Sequence, residues 1–541
     1  MKNIIKTIPI ILLLISISCK DDLNETIYSE LTVDNYTYKA NDIYSIIGSV
    51  YSNMRSLYDP WNFIELQEIS TDILCQPANA SGWDDGGIFK KMHLHKWDSE
   101  HGQIQNFWGL ATKGTLLANK IIDQLENKTV PIPSDESYDS FIAEMKVARA
   151  FYYWLLIDNF GDIPFVTTMS QDIPAKTDRA TVYQAIIADI ESALPKLSEE
   201  NSAKMYGHFN KWAAKTLLAN LYLNAEVYTG TAAYDKCLNE CNDIIASGKY
   251  RLEANYGDCF SAHNENSVET IFAIPYDEIN GGGLYINATL HAASKDKYNM
   301  RNTPWGAGSI KAVSQFIDTY DPNDSRIDDT WEHGLQFAYD GITPLLCTYD
   351  RAGKQLNYSK DLPDGLYTAE DEGYRIIKYK PESGPTSGSG AAFNLNNDVP
   401  FFRYTMVLMM KAECQLRAGQ TDAAAVIVTE VRGRAFKSHP EKVTVTGAQL
   451  TANSKYKYGY VENYVIADQG DQTPVTFGGF YDELGYEFAC EHTRRRDMIR
   501  FGTFTKKSWL SHKPNGDYRK VYPIPQSAIN SNPNLTQADG Y

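Results

Sequence analysis

Two stretches far apart in the chain can be laid over each other: "LNAEVYTGTAAYDKCLNECNDII" (223–245) and "MKAECQLRAGQTDAAAVIVTEVR" (410–432). Both carry Ala-Glu in a first helical segment, then a Gly turn, then alanines opening a second helical segment. Small residues at those places let two helices approach closely. Short amphipathic helices joined by a tight turn cannot bury their apolar faces alone, so they must stack on further helices. The tetratricopeptide consensus Trp and Pro are missing, so the reading is repeat-like helix pairs and not a regular array. The periodicity predicts further helices over 141–161, ending at the stop signal Gly161, and over 181–197, 210–228, 234–250, 401–419 and 421–436. The fold class is mostly α.

From about 251 to 400 this pattern weakens. Turn formers crowd in: "NGGG" at 280–283, "DPND" at 321–324, "LPDG" at 362–365 and "SGPTSGSGAAF" at 383–393. Between them lie short strand-like pieces, "ETIFAIPY" and "YRIIKYK". A loop-rich side on a helical scaffold is expected, and loops are where binding residues tend to sit.

The N-terminus has a different purpose. Lys2 and Lys6 precede "IPIILLLISIS", which is shorter than the roughly 20 apolar residues a membrane span needs. The run stops at "SISCKDD", which looks like a bacterial lipobox: residues 1–18 form a signal peptide and Cys19 becomes the lipidated first residue of a mature chain, 19–541. Removing the two leader lysines takes the formal net charge from −17 to −19. Such a surface repels phosphate backbones, so nucleic acid is not expected as a partner. Of eight cysteines none forms a CxxC; a disulfide framework is not expected, and the thiols are read mainly as small buried hydrophobes.

Seven ordered blocks carry a family resemblance: "AEMKVARAFYYWLLIDNFGDIPFV" (143–166), "DRATVYQAIIADIESALPKL", "HFNKWAAKTLLANLYLNAEVY", "TYDPNDSR" (319–326), "DVPFFRYTMVLMMKAECQLRAG" (398–419), "RRRDMIRFG" (494–502) and "YPIPQSAINSNPNLTQADGY" (522–541). With them the chain resembles the SusD/RagB family of Bacteroidetes nutrient-binding lipoproteins, closest to its starch-binding branch. The resemblance implies a single SusD-like domain, with four tetratricopeptide-like helix pairs on one side and a loop-rich ligand side. It implies binding of oligosaccharides at the outside of the outer membrane. It also implies delivery to a SusC-like TonB-dependent transporter, with the helical-repeat side facing that barrel. The acidic residues Asp21 and Asp22 resemble the family's surface-export signal.

Sugar rings expose C–H faces that Trp and Tyr rings cover, while Asp, Asn and Arg bond the hydroxyls. Trp83, with Asp84 and Asp85 beside it, sits in the small-residue loop "ANASGWDDGG"; it is either a stacking ring or a loop Trp folded back on the scaffold. Trp305 lies in "MRNTPWGAGS", with Arg301 and Asn302 as polar neighbours and a helix expected from about Ser309. The resemblance adds that Trp305 and Tyr285 stand where the starch-binding relative offers aromatics. "HLH" at 93–95 and "DPND" read as structural rather than metal-binding, and "RRRD" at 494–497 as a charge run answered by Glu487 and Glu491. No GxSxG, HExxH, P-loop or dinucleotide fingerprint is present, so neither catalysis nor a cofactor is expected. A ligand-free helical adaptor and a glycoside hydrolase are the alternatives to glycan binding.

Overall fold

The computed structural model describes residues 36–60, 62–170 and 172–541. The leader, Cys19, Asp21 and Asp22 lie outside the described residues. The scaffold is built from helices α1 (Asp42–Arg55), α2 (Gly102–Glu126), α3 (Tyr138–Phe160), α4 (Arg179–Ala193), α5 (Lys211–Leu223), α6 (Tyr234–Ala246), α7 (Tyr404–Arg417), α8 (Thr421–Arg432), α9 (Gly478–Phe488) and α10 (Arg494–Arg500). Helices α2, α3 and α4 pack in succession, as do α5, α6, α7 and α8. The two segments that overlay in sequence are therefore neighbours in space, because α6 and α7 pack together although some 150 residues of loop-rich chain separate them.

Local chemistry sets these boundaries. Asn210 caps α5, its side-chain oxygen accepting from the Trp212 and Ala213 N–H groups at 3.0 and 2.9 Å. Asp178 caps α4 through the Thr181 N–H at 2.9 Å. Helix α3 is buried on almost every face, which is why its apolar residues follow no single stripe. Helix α2 comes so close to α3 that a Cβ on Gly114 would lie 2.3 Å from the Tyr152 ring.

The expected helix over 401–419 begins only at Tyr404. Residues Val399–Arg403 form strand β2, antiparallel to β1 (Thr270–Ile274), the strand read from "ETIFAIPY". The β-favouring Val399, Phe401 and Phe402 find a partner strand that periodicity alone cannot reveal.

The end of β2 is the structure's most highly charged interior point. Arg403 is fully buried, and its donors reach Glu491 (2.6 and 2.8 Å), Glu269 (2.7 Å), Glu487 (2.9 Å) and the Glu487 carbonyl (2.9 Å). Arg434 pairs with Glu269 and Glu487, Lys378 with Glu491, and Arg326 with Asp324, Glu483 and Glu487. Burial alone would raise the Glu487 carboxyl; the Arg434, Arg403 and Arg326 guanidinium groups outweigh it and hold it at about 2.

Glu487 and Glu491 are thus already engaged, which corrects the partners expected for the arginine run. Arg494 pairs with Asp72 (2.7 Å), Arg495 faces Asp158 at 3.7 Å, and Arg496 lies over the Trp154 ring at 4.6 Å. Cys490 and His492, both at positive φ, turn the chain between α9 and α10 and re-aim the arginines. His95 donates its Nε2–H to the Ser70 carbonyl (2.7 Å) and packs its ring 4.0 Å from that of His512, with burial lowering it to about 3; "HLH" is packing. Cysteines 75, 237, 241, 259, 347, 414 and 490 are buried and unpaired.

Truncating one member of such a network leaves buried charges without partners. Arg403→Met is expected to cost about 3–5 kcal/mol of stability, read from the guanidinium midpoint. A loss below about 1 kcal/mol, the range of exposed pairs, would show that the network does not tie the fold together.

Candidate functional site

Three loops meet on the loop-rich side. The Trp305 N–H donates to the Ala288 carbonyl (2.7 Å), the Ala292 N–H to Gly306 (2.7 Å) and the Ser309 N–H to Thr289 (2.9 Å), so 305–309 lies along 288–292. A third loop joins through the Arg301 N–H to the Gly390 carbonyl (2.8 Å) and the Ala392 N–H to the Asn302 side-chain oxygen (2.7 Å). The Gly283 N–H donates to the Asn394 side chain at 3.0 Å and closes the circle. Beneath them Leu290, Met300 and Ala392 form a small separate core.

These seams bring together Tyr285, Trp305 and Phe393. The Tyr285 and Trp305 rings are nearly parallel (16°) with centroids 6.3 Å apart, and Phe393 lies 5.5 Å from Trp305 and 6.1 Å from Tyr285. Trp305 is 42 % exposed; the other two are half-buried. An apolar platform backed by its own core and open to solvent suits a ligand with flat C–H faces.

The other sequence candidates are more constrained. Arg301 is exposed but paired with Glu278. Asn302 has its side-chain oxygen taken up by the Ala392 amide, so it shapes the platform. Trp83 is half-buried, its ring 5.4 Å from Phe89, the folded-back arrangement of the two considered. Asp84 pairs with Lys90 at 2.7 Å, and Asp85 opens a left-handed turn with Gly86 and Gly87 (φ 46°, 64° and 75°). The Trp83 loop still borders the platform: a Cβ on Gly306 would meet Ser81 Oγ at 3.6 Å and Tyr349 Oη at 3.4 Å.

The helix expected near Ser309 starts at Ser314 instead. Lys311 and Ala312 run extended and pair with Leu74 and Cys75, because the buried Lys311 ammonium reaches the Ala369 and Glu372 carbonyls at 3.0 and 2.9 Å. Sequence reasoning missed Phe393; its signal is an aromatic closing the Gly/Ser-rich run 383–393.

Behind Tyr285 lies a cavity of about 40 Å³, lined mainly by apolar side chains such as Ile64, Ile69 and Ile376 and also by Glu68. Glu68 is 1 % exposed, and its carboxyl faces only the backbone N–H groups of Cys490 and His492 and the more distant cations Lys378 and Arg494. Burial pushes its carboxyl from 4.5 up to about 8, against the pull of Lys378. Below pH 4.5 the group is protonated whether folded or not; between 4.5 and about 8 only the unfolded chain releases the proton, so stability falls as pH rises through that window. The melting temperature of Glu68→Gln relative to wild type is expected to climb from pH 5 to 8.5. A pH-independent difference would show that Glu68 is ionised in the folded protein.

Comparison with known proteins covers nearly the whole chain. A family model described as "Starch-binding associating with outer membrane" matches residues 22–223, and one described as "SusD family" matches residues 242–541. The starch-binding protein SusD of Bacteroides thetaiotaomicron is 28 % identical over 444 residues, 74 % of this chain and 72 % of that one. A laminarin-binding SusD-like protein superposes with a TM-score of 0.68 at 19 % identity, covering 94 % of this chain and 100 % of that one. Surface glycan-binding protein A from Bacteroides thetaiotaomicron, in complex with laminarihexaose, gives a TM-score of 0.67 at 19 % identity over 92 % and 99 % of the two chains. At these identities the structural matches speak for the fold alone.

Proposed function

Since this chain belongs to the SusD family, we propose that it is a surface glycan-binding lipoprotein that holds oligosaccharides on the Tyr285–Trp305–Phe393 platform. It passes them to a SusC-like TonB-dependent transporter without cleaving them. The platform is the observation that carries the reading: three aromatic rings from three cross-braced loops, one of them open to solvent, on the side opposite in character to the helical stack. The comparisons support it, since relatives named for starch and laminarin binding share the fold. The Arg301–Glu278 pair stands at the rim, exposed enough to exchange its partner for sugar hydroxyls. Cys19 carries the lipid that holds the protein at the outer membrane, facing outward, with the stacked helices turned toward the transporter.

Aromatic anchors carry most of the energy of such sites. Trp305→Ala is expected to lower glycan affinity by about 2 kcal/mol, roughly thirtyfold, with little change in melting temperature. Affinity electrophoresis against a polysaccharide panel, paired with thermal melting, reads both. Unchanged affinity moves the site elsewhere; a large fall in melting makes Trp305 a structural residue. New reducing ends accumulating with time would make the protein a hydrolase.

Anchoring is tested separately. Cys19→Ala is expected to leave the outer-membrane fraction, and wild-type partitioning of that variant would refute lipid attachment at Cys19.

A further inference from the structure

We propose that the Trp305 platform is one end of a longer track running over Tyr349 to Tyr367 and Tyr464, and that these three tyrosines hold the distal sugars of a chain seated on the platform. The inference rests on the glycan-binding reading above. Tyr349, Tyr367 and Tyr464 are 37 %, 51 % and 54 % exposed, and each is held in place from beneath.

Tyr349 is held by a buried carboxylate. Glu370 is fully buried and accepts from the Thr348, Tyr349 and Arg351 N–H groups at 2.7, 3.0 and 3.1 Å. The same carboxylate lies 3.2 Å from His291, which belongs to the loop carrying Tyr285. One buried charge therefore sets the Tyr349 turn relative to the platform, and the Tyr349 hydroxyl lies against Gly306, the residue after Trp305. Tyr367 continues the line: Tyr367 and Thr368 pair with Ala78 and Asn79, the base of the loop whose Ser81 also touches Gly306.

Tyr464 is the most telling. It occupies a hairpin tip between Gly459–Glu462 and Val465–Asp468, with Asn463 and Tyr464 both left-handed (φ 48° and 68°). A bulky aromatic in that region is strained, and a glycine would serve the turn better. Strain kept at an exposed ring marks a position held for what the side chain does. Its hydroxyl donates to Glu372 at 2.8 Å, and Glu372 also pairs with Arg351 at 3.0 Å, next to the Tyr349 turn. The Tyr349 turn and Tyr464 thus lie beside Arg351, a partly exposed guanidinium suited to sugar hydroxyls and held by the buried Glu372. That polar group, and continuity with Trp305, favour a polyhydroxylated chain over an apolar protein surface as the occupant.

The test is calorimetry with laminari- and malto-oligosaccharides, from disaccharide to hexasaccharide, on wild type, Trp305→Ala, Tyr367→Ala/Tyr464→Ala and Tyr464→Gly. For the ladder that binds, wild-type affinity is expected to rise with length. The double variant should lose about tenfold or more on the hexasaccharide while keeping the disaccharide, as for removal of secondary anchors. Tyr464→Gly guards against misfolding: it should melt no lower than wild type, because glycine relieves the turn, and still bind the hexasaccharide more weakly. Hexasaccharide affinity unchanged in both variants, with binding lost in Trp305→Ala, overturns the track and leaves the platform standing. Unchanged glycan affinity with weakened capture of the transporter overturns it in favour of a protein-docking face. Failure of wild type to bind either ladder or any polysaccharide of the panel overturns both readings.

Discussion

The fold depends on Arg403. Its guanidinium is wholly enclosed, and its five N–H donors are matched by the carboxylates of Glu269, Glu487 and Glu491 and by a backbone carbonyl. Enclosing a guanidinium and three carboxylates is favourable only when every group is answered, and Arg434, Lys378 and Arg326 complete the balance. The members come from every level of the chain: the strand pair, the end of the helical stack, the loop-rich middle and helix α9. Hydrophobic burial is non-directional and could tolerate these parts in several arrangements. The charge network tolerates one.

The adjacency of α6 and α7 explains how such different halves coexist. The stack runs on as if the middle of the chain were absent. The long excursion between them is free of the stacking rule and can be shaped by loop-to-loop hydrogen bonds instead. That is how three segments far apart in sequence present Tyr285, Trp305 and Phe393 side by side.

What the sequence made legible follows from this division. Helices α3 to α8 announced themselves through periodicity and the Gly161 stop, and their pairing through the Ala-Glu overlay, whereas the long helix α2 was not read from the sequence. Trp305 and Tyr285 were visible as aromatics in turn-rich loops. Phe393 was not, since its value comes from the Asn302 and Gly390 seams that bring its loop across. Strand β2 was hidden because its partner lies over a hundred residues away. The arginine run misled for the same reason: the nearest acids in sequence were already claimed by Arg403, and the true partners, Asp72 and Asp158, lie in the first third of the chain. Trp83 was legible as a loop residue, but only packing on Phe89 decides which way its ring turns.

The feet of the ligand-side loops carry an evolutionary consequence. Arg326 and Lys378 leave the excursion to enter the charged interior, and Glu269 immediately precedes β1 near its start. The excursion is thus no detachable cassette, because deleting it would strand Glu487 and Glu491 among too few cations. Loop tips lie outside this network and can change singly, while the residues at their bases must change together or not at all. Diversification in a chain built this way is confined to the rim, with inheritance enforced from the interior.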